Sequence, residues 1–411
     1  MNIKKNAVII LIVLFCIWNS FFNLKYVVQA TWYAQISDIF TIGFIIYLFT
    51  EIIKRRSKYS IAFWLSFIVI MFLFSVIWSF VLRGQSIYGS LRAITSLLPL
   101  AVFFFLSKYD IGNDSVIRSM IILCALTVFF QIVALVTFPN NVFGFSPHLM
   151  EQAESVIEQR GVLRLGIPGQ DFIVVMIFLV LTVSKHRKWL YLLLIPLFVM
   201  LLLRGTRTPL FATAAICIVY YLWRIKHKFV TILLGIILFL TLHLSYQYLM
   251  NPSSDGILAN YVQMTSEQLE NDDEDIRIEM SRYYFSQFND NIFETIFGNG
   301  VPFGKSDYGQ EVIRLQDTHS YYIVDVGVTY IYVYFGIVGL IAYAMLLFSV
   351  IRTTVDEKYM FAKLYIFYSY LILPTNVSML SLSPMIFAMN LYLVYRGGMI
   401  KFHRKYTRNC V

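Results

Sequence analysis

The sequence has little charge. Of its 411 residues only 14% are Asp, Glu, Lys or Arg, whereas an ordinary soluble domain has about 25%. The chain lacks the polar side chains that would cover a soluble globule of this size, which excludes a cytosolic enzyme. Cysteine is also scarce: the four cysteines include no CxxC pair. The sequence therefore indicates neither a disulfide framework nor a zinc site.

Long apolar runs make up most of the chain, which is 58% hydrophobic and contains 36 Phe and 28 Tyr. A bilayer core needs about 20 apolar residues per helix, and runs without alternation are typical of helices rather than barrel strands. The sequence predicts an all-α, polytopic integral membrane protein with about 12 transmembrane helices and a large helical extracytoplasmic loop. The predicted spans are 7–24, 32–53, 61–82, 91–107, 116–138, 167–184, 189–203, 208–223, 229–250, 321–351, 359–380 and 383–395.

The positive charges favour one orientation in the membrane. With the N-terminus in the cytoplasm, 22 of the 33 Lys and Arg fall on the inner side and 11 outside, as the positive-inside rule requires. We therefore expect a multi-pass membrane protein with both termini cytoplasmic. The first apolar run is longer than the core of a signal peptide, so an uncleaved first helix is favoured over cleavage after Val28-Gln29-Ala30.

The predicted spans divide the chain into five parts. They are the N-terminal transmembrane helices 1–138, a small extracytoplasmic loop 139–166, the central helices 167–250, a large extracytoplasmic loop 251–320, and the C-terminal helices with a cytoplasmic tail, 321–411. The large loop holds 13 of the 24 acidic residues, so it belongs in water. Helical spacing of apolar residues over 276–297 predicts amphipathic helices on the outer membrane face.

Two arginines stand in a tight outer turn, Arg204-Gly205-Thr206-Arg207-Thr208-Pro209. Thr208 and Pro209 suit the N-cap and first position of a helix, whose free N–H groups would face outward. Arg204 and Arg207 beside that helix end form a candidate site for phosphate or pyrophosphate. The alternative is a pair of interfacial arginines that snorkel toward water.

A second outer segment, 160–171, runs directly into the sixth span and carries Arg164. The glycines and proline of 166–169 break the backbone at membrane depth, which is tolerated only where it lines protein or a watery cavity. Arg164 is therefore predicted to face such a cavity. The alternative is an interfacial ion pair with Glu158 or Asp171.

The large loop contributes a third set of residues. Arg277 and Arg282 lie on its predicted amphipathic helix, and His319 stands at the entrance of the tenth span. Histidine is the side chain best suited to act as a base near neutral pH, here toward a sugar hydroxyl. The alternative is a loop histidine without a catalytic role.

The order of these motifs resembles the O-antigen polymerase and O-antigen ligase superfamily over about 160–345. The resemblance departs at Gly205–Thr208, where the family often has Ser-Arg-Gly, and at His319-Ser320, where it often has His-Asn. The motifs that carry it are Leu163-Arg164-Leu165-Gly166-Ile167-Pro168-Gly169, the turn Arg204 to Thr208, the arginine-bearing loop helix, Phe297-Gly298-Asn299-Gly300, His319, and the segment Gly336 to Ile341.

The resemblance implies a glycosyltransferase of capsule, exopolysaccharide or O-antigen biosynthesis on the outer face of the membrane. Its donor would be a glycan on undecaprenyl pyrophosphate, and its acceptor a sugar hydroxyl of another lipid-linked repeat unit. The pyrophosphate would be bound by arginines and the acceptor activated or positioned by His319, so neither a metal nor another cofactor is expected. Candidate partners are the lipid bilayer, a chain-length regulator and a flippase, but not nucleic acid. The pyrophosphate-binding candidates are Arg164, Arg204, Arg207, Arg277 and Arg282.

Two other functions stay open at this point. A ligase would transfer the glycan to a finished lipid or protein, and we favour a polymerase because the many Tyr and Phe offer stacking surfaces for sugars. A flippase or transporter would use Asp38 and Asp325, both predicted at membrane depth, as ion-coupling groups. The absence of a two-half repeat and the 70-residue large loop argue against transport.

Overall fold

A computed structural model describes residues 3–28, 31–54, 60–138, 142–143, 156–159, 162–183, 188–204, 206–224, 276–377, 379–380 and 383–409. These parts are mainly helical, as predicted, with one antiparallel hairpin inside the predicted small loop. Its strands are β1 Val156–Gln159 and β2 Val162–Leu165. The longer helices are α1 Ala7–Trp18, α2 Thr31–Ile53, α3 Ile61–Arg83, α4 Ile87–Ile94, α5 Val102–Lys108, α6 Asn113–Thr137, α7 Asp171–Val183, α8 Leu194–Leu202, α9 Arg207–Arg224, α10 Ile276–Ser286, α11 Ile292–Phe297, α12 Asp307–His319, α13 Gly327–Arg352, α14 Met360–Leu371 and α15 Pro384–Asn409.

Several of these helices can cross a membrane. In the described parts of the chain, four are long and apolar enough, and a fifth span arises if one bent pair counts as a single crossing. The predicted number of about twelve is therefore not confirmed, and the predicted span 229–250 and the first part of the large loop, 251–275, lie outside the described residues. The four long helices are Trp32–Ile53, Ile61–Arg83, Asn113–Thr137 and Gly327–Arg352.

Prolines break two of the predicted spans. The run predicted as 91–107 is divided into Ile87–Ile94 and Leu98–Lys108, with a bend of 63° across the break between them, and Pro99 lies in the first turn of the second segment. The run predicted as 359–380 ends as a helix at Leu371, followed by a short 3-10 turn that contains Pro374. A proline removes a backbone donor and clashes with the preceding turn, so neither helix continues through it.

Ion pairs join residues that were predicted on the same side of the membrane. Lys4 lies 3.5 Å from Asp110, Arg396 lies 3.0 Å from the same carboxylate, and Arg224 is ion-paired with Glu357. All of these residues were predicted on the inner side. Arg83 and Arg204, which were predicted outside, pair with Glu294 and Asp171.

The large loop is seated on a break in α13. Gly336 has φ of +65°, which interrupts the helix and frees the carbonyls of Val333 and Tyr334 to accept from the backbone N–H groups of Asn299 and Gly300, at 2.8 and 3.0 Å. A Cβ on Gly336 would lie 2.2 Å from the carbonyl oxygen of Ile296. The turn Phe297-Gly298-Asn299-Gly300 therefore folds the loop back onto α13.

Candidate functional site

A buried ion pair lies at the outer end of α7. The Nη1 atom of Arg204 is 2.7 Å from Oδ1 of Asp171, and the two side chains are only 8% and 1% exposed. The hydroxyl of Tyr365 donates to the other oxygen, Oδ2, at 3.2 Å. Burying a charge is tolerated when it is paired and hydrogen-bonded, so these three residues, the turn group, hold α7, α14 and the arginine turn together.

The backbone brings the strand of Arg164 to the same turn. The N–H of Leu165 donates to the carbonyl of Leu203 at 3.1 Å, and the amide of Gln170 donates to the carbonyl of Leu165 at 2.5 Å. Arg164, whose side chain lies outside the described residues, occupies the preceding position in β2. Asp171 is paired with Arg204, and its predicted alternative pairing with Arg164 falls on a side chain outside the described residues. Two of the three sequence-predicted sets are thus adjacent.

The helix after the turn begins two residues earlier than predicted. Helix α9 starts at Arg207, so Thr206 occupies the N-cap position that we predicted for Thr208, and Pro209 is the third residue instead of the first. A proline is accepted anywhere in the first turn because those N–H groups have no helical partner. Arg207 is half-buried in the first turn, where an anion would meet the positive end of the helix.

A second polar arrangement joins helix α10 to the segment that leads into α13. The hydroxyl of Tyr321 donates to Oε1 of Glu279 at 2.8 Å. Burial and this hydrogen bond raise the pKa of Tyr321, so its hydroxyl stays a donor. The imidazole of His319 lies with its ring centre 5.2 Å from that of Tyr321, and Thr318 contacts the imidazole. We call Glu279, Thr318, His319 and Tyr321 the loop group.

The loop group ties the helix of two predicted arginines to the segment that follows the predicted histidine. Arg277 and Arg282 both belong to α10, whose Ser281 hydroxyl lies 3.0 Å from that of Thr329 in α13. Arg277, Arg282 and His319 are all exposed. Their side chains are therefore accessible to a substrate, unlike Arg204.

Comparison with protein families identifies part of the chain. Residues 192–344 match the O-antigen ligase family. This match is consistent with the O-antigen polymerase and ligase superfamily that the order of motifs resembles. A comparison with curated proteins gave no match. The matched residues include both the arginine turn and the loop group, and the match indicates a membrane protein with a function of the polymerase or ligase type. Arg164 and Asp171 lie outside the matched residues.

Sequence reasoning missed the residue that anchors the large loop. Arg83, the last residue of α3, donates from Nε to Oδ1 of Asn299 at 2.9 Å and from Nη2 to Oε2 of Glu294 at 3.3 Å. Its guanidinium also lies 5.2 Å from the ring centre of Phe288 and 5.4 Å from that of Tyr308. Arg83 was one of the 11 outer cations, and its charge outside the membrane was the only available signal.

The two carboxylates considered for transport, Asp38 and Asp325, belong to neither the turn group nor the loop group. Oδ2 of Asp38 is 3.2 Å from Nε of Arg92, and Oδ1 accepts from the hydroxyl of Thr95 at 3.0 Å. Asp325 lies in the 3-10 turn Ile323–Asp325 just ahead of α13 and is exposed. Among the described residues, no group of three His, Cys, Asp or Glu side chains is arranged to hold a metal ion.

Proposed function

We propose that this protein is a bacterial surface-polysaccharide polymerase. It transfers a glycan from undecaprenyl pyrophosphate to a sugar hydroxyl of another lipid-linked repeat unit on the outer face of the cytoplasmic membrane. The observation that carries the proposal is the hydrogen bond between Tyr321 and Glu279, at 2.8 Å. It supports a shared site because it holds the helix with Arg277 and Arg282 beside the segment with His319.

The arginines and His319 have different roles in the transfer reaction. The acceptor hydroxyl oxygen attacks the anomeric carbon of the donor sugar, the bond from that carbon to the pyrophosphate oxygen breaks, and its electron pair leaves with the lipid pyrophosphate. Arg164, Arg207, Arg277 and Arg282 offset the growing charge of the leaving group. His319 takes the proton from the acceptor hydroxyl.

We assign Arg204 a structural role, whereas the sequence indicated pyrophosphate binding. Its guanidinium is paired with Asp171 and buried, so it stabilises the turn that holds Arg207 at the start of α9. A buried arginine whose partner is a carboxylate already has its charge balanced, and a second anion would have to displace that partner. The neighbouring Arg207 is the arginine of this turn that we expect to meet the pyrophosphate.

Aromatic side chains on the loop support a sugar chain as the acceptor. Phe285 and Tyr322 are exposed, at 43% and 36%, and Tyr283 stands next to Tyr321 with ring centres 5.6 Å apart. Flat exposed rings give apolar contact surface to pyranose rings while leaving the sugar hydroxyls free for polar groups. This favours a growing glycan over a finished lipid core as the acceptor.

The experiment compares strains that carry the wild-type protein, His319→Ala, Arg207→Ala or the control Lys305→Ala. Lys305 is another exposed outer cation without an assigned part. We expect long glycans in the wild type and in the control. Loss of the base or of the arginine should lower polymer formation by about 100-fold or more, with single lipid-linked repeats accumulating outside. The measurement is the length and sidedness of the lipid-linked sugars.

The other outcomes distinguish the competing functions. Long glycans that stay on the lipid pyrophosphate and fail to reach a finished lipid or protein would identify a ligase. Repeats that accumulate on the inner side would identify a flippase. An unchanged glycan length in both His319→Ala and Arg207→Ala would contradict transfer at this site altogether.

A further inference from the structure

The last turn of α12 contains two short contacts to one hydroxyl. The Oγ1 atom of Thr318 lies 2.6 Å from the carbonyl oxygen of Arg314 and 2.7 Å from Nδ1 of His319. A hydroxyl has one proton to donate and lone pairs to accept, and a carbonyl oxygen can only accept. At 2.6 Å the two oxygens approach this closely only with a proton between them, so the Thr318 proton is directed to Arg314.

The direction of the hydrogen bond between Thr318 and the imidazole follows from this. With its proton engaged, Thr318 can only accept from His319, so Nδ1 carries the hydrogen. In a neutral imidazole one ring nitrogen is protonated and the other has a free lone pair. We infer that Thr318 is a positioning residue that holds His319 as the Nδ1–H tautomer and leaves Nε2 as the base.

The rest of the loop group fixes the plane of the ring. The imidazole lies over Tyr321, with an angle of 33° between the rings, and the Tyr321 hydroxyl is itself held by Glu279. His319 is exposed, so an acceptor can reach it from water. Thr318 thus acts through the histidine, because its own hydroxyl is occupied on both sides.

The inference rests on the proposed function for its catalytic meaning. When Nε2 takes the proton of the acceptor hydroxyl, the Nδ1–H bond to Thr318 is unchanged, so the threonine supports both the neutral and the protonated ring. Without it, the neutral ring divides between its two tautomers, and only one of them has a lone pair on Nε2. Fewer productive complexes form, although substrate binding is unaffected.

The kinetic test compares Thr318→Val with Thr318→Ser in the purified full chain, using a lipid-pyrophosphate-linked oligosaccharide. Valine keeps the branched shape and removes the hydroxyl, whereas serine keeps the hydroxyl. We expect kcat of Thr318→Val to fall by about two- to twelvefold, the range that one net hydrogen bond gives, with KM unchanged. Thr318→Ser should restore most of the rate. An unchanged kcat in Thr318→Val, or equal losses in both variants, would overturn the inference.

A second measurement does not depend on activity. Nitrogen NMR of the full chain with ¹⁵N-labelled histidine reports which ring nitrogen is protonated, and His319→Gln identifies the signal among the six histidines. At a pH where the ring is neutral, we expect a protonated Nδ1 and an unprotonated Nε2 in the wild type, and a mixture in Thr318→Val. A protonated Nε2 in the wild type would overturn the inference, even if Thr318→Val failed to fold.

The two measurements separate this inference from the proposed function. If His319→Gln keeps full transfer activity while the wild type shows the expected tautomer, the proposed function fails and the tautomer assignment stands. If His319→Gln is inactive and the wild-type tautomer is the opposite one, the proposed function stands and the part assigned to Thr318 fails.

Discussion

The turn group and the loop group differ chiefly in burial. In the turn group, Asp171 is 1% exposed and is paired with Arg204 at 2.7 Å, whereas His319 of the loop group is exposed. A buried charge is balanced by the protein itself, and its partner cannot be replaced without desolvating another group. An exposed polar group keeps capacity for a ligand. The comparison teaches that the buried Arg204–Asp171 pair holds helices together, whereas the exposed His319 is accessible to a ligand.

The largest effect is expected from a substitution that breaks the turn group. Arg204→Ala leaves the carboxylate of Asp171 buried without its cation, and loss of one partner of a buried pair costs about 3–5 kcal/mol of stability. We expect a strong fall in the thermal unfolding midpoint of the purified protein and in its yield. Arg207→Ala, three positions along, should lose transfer activity and keep its stability.

A double variant sharpens this first comparison. Asp171→Leu with Arg204→Met removes both charges and keeps similar volumes, so it should recover much of the stability that Arg204→Ala loses. If the double variant is no more stable than Arg204→Ala, or if Arg204→Ala unfolds no more readily than the wild type, then the pair does not hold these helices.

An intermediate effect is expected where the loop is seated on α13. In Gly336→Ala the new Cβ would meet the Ile296 carbonyl oxygen at 2.2 Å, at a φ of +65°. Overpacking of this kind typically costs about 1–3 kcal/mol, and here it would push the loop group away from the bundle. We expect lower stability together with lower transfer activity, measured on the same preparation.

The matched control for this glycine is Gly43→Ala in α2. Nothing lies within 4 Å of a Cβ at that position, and alanine is the better helix former by about 0.5–1 kcal/mol. Gly43→Ala should therefore be neutral or slightly stabilising. Equal behaviour of the two alanine variants would mean that the contact between Gly336 and the loop does not seat the loop.

The smallest effect is expected in the loop group. Tyr321→Phe keeps the ring beneath His319 and removes only the hydrogen bond to Glu279, an exposed carboxylate that water can satisfy instead. The stability should fall by at most about 1 kcal/mol, while kcat falls severalfold because α10 is less firmly held. Tyr322→Phe, the exposed neighbour, serves as the control. A larger loss of stability in Tyr321→Phe than in Gly336→Ala would reverse the contrast between the two groups.

Some spans followed directly from the apolar runs. The structure has helices Ile61–Arg83 and Asn113–Thr137 where the sequence predicts 61–82 and 116–138, because an apolar run of membrane length has few other ways to satisfy its backbone. The runs that contain Pro99 and Pro374 were predicted as continuous helices but are interrupted, because hydropathy does not register a missing backbone donor. The hairpin β1–β2 was missed because its strands have only four residues each.

The residue types of the candidate site were predictable from the sequence, but which side chains contact each other was only partly predictable. Arg204 and Asp171 are 33 positions apart, and Tyr365 is 194 positions from Asp171, so no local spacing connects them. Arg83 and Glu294 are separated by 211 positions. Which outer arginine is buried with a carboxylate and which is left at a helix end is decided by packing, and a charge count treats them alike.

The sequence by itself determined that this is a helical membrane protein, because scarce charge and long apolar runs permit few other folds. It also predicts which few cations lie outside the membrane, and the order of motifs indicated the superfamily. The tertiary structure alone decided that Asp171 binds both Arg204 and Tyr365, and that Gly300 donates to a carbonyl freed by the break at Gly336. It also decided that Thr318 contacts the ring of His319. These are contacts whose partners are chosen by how the helices pack, and distance along the chain does not encode them.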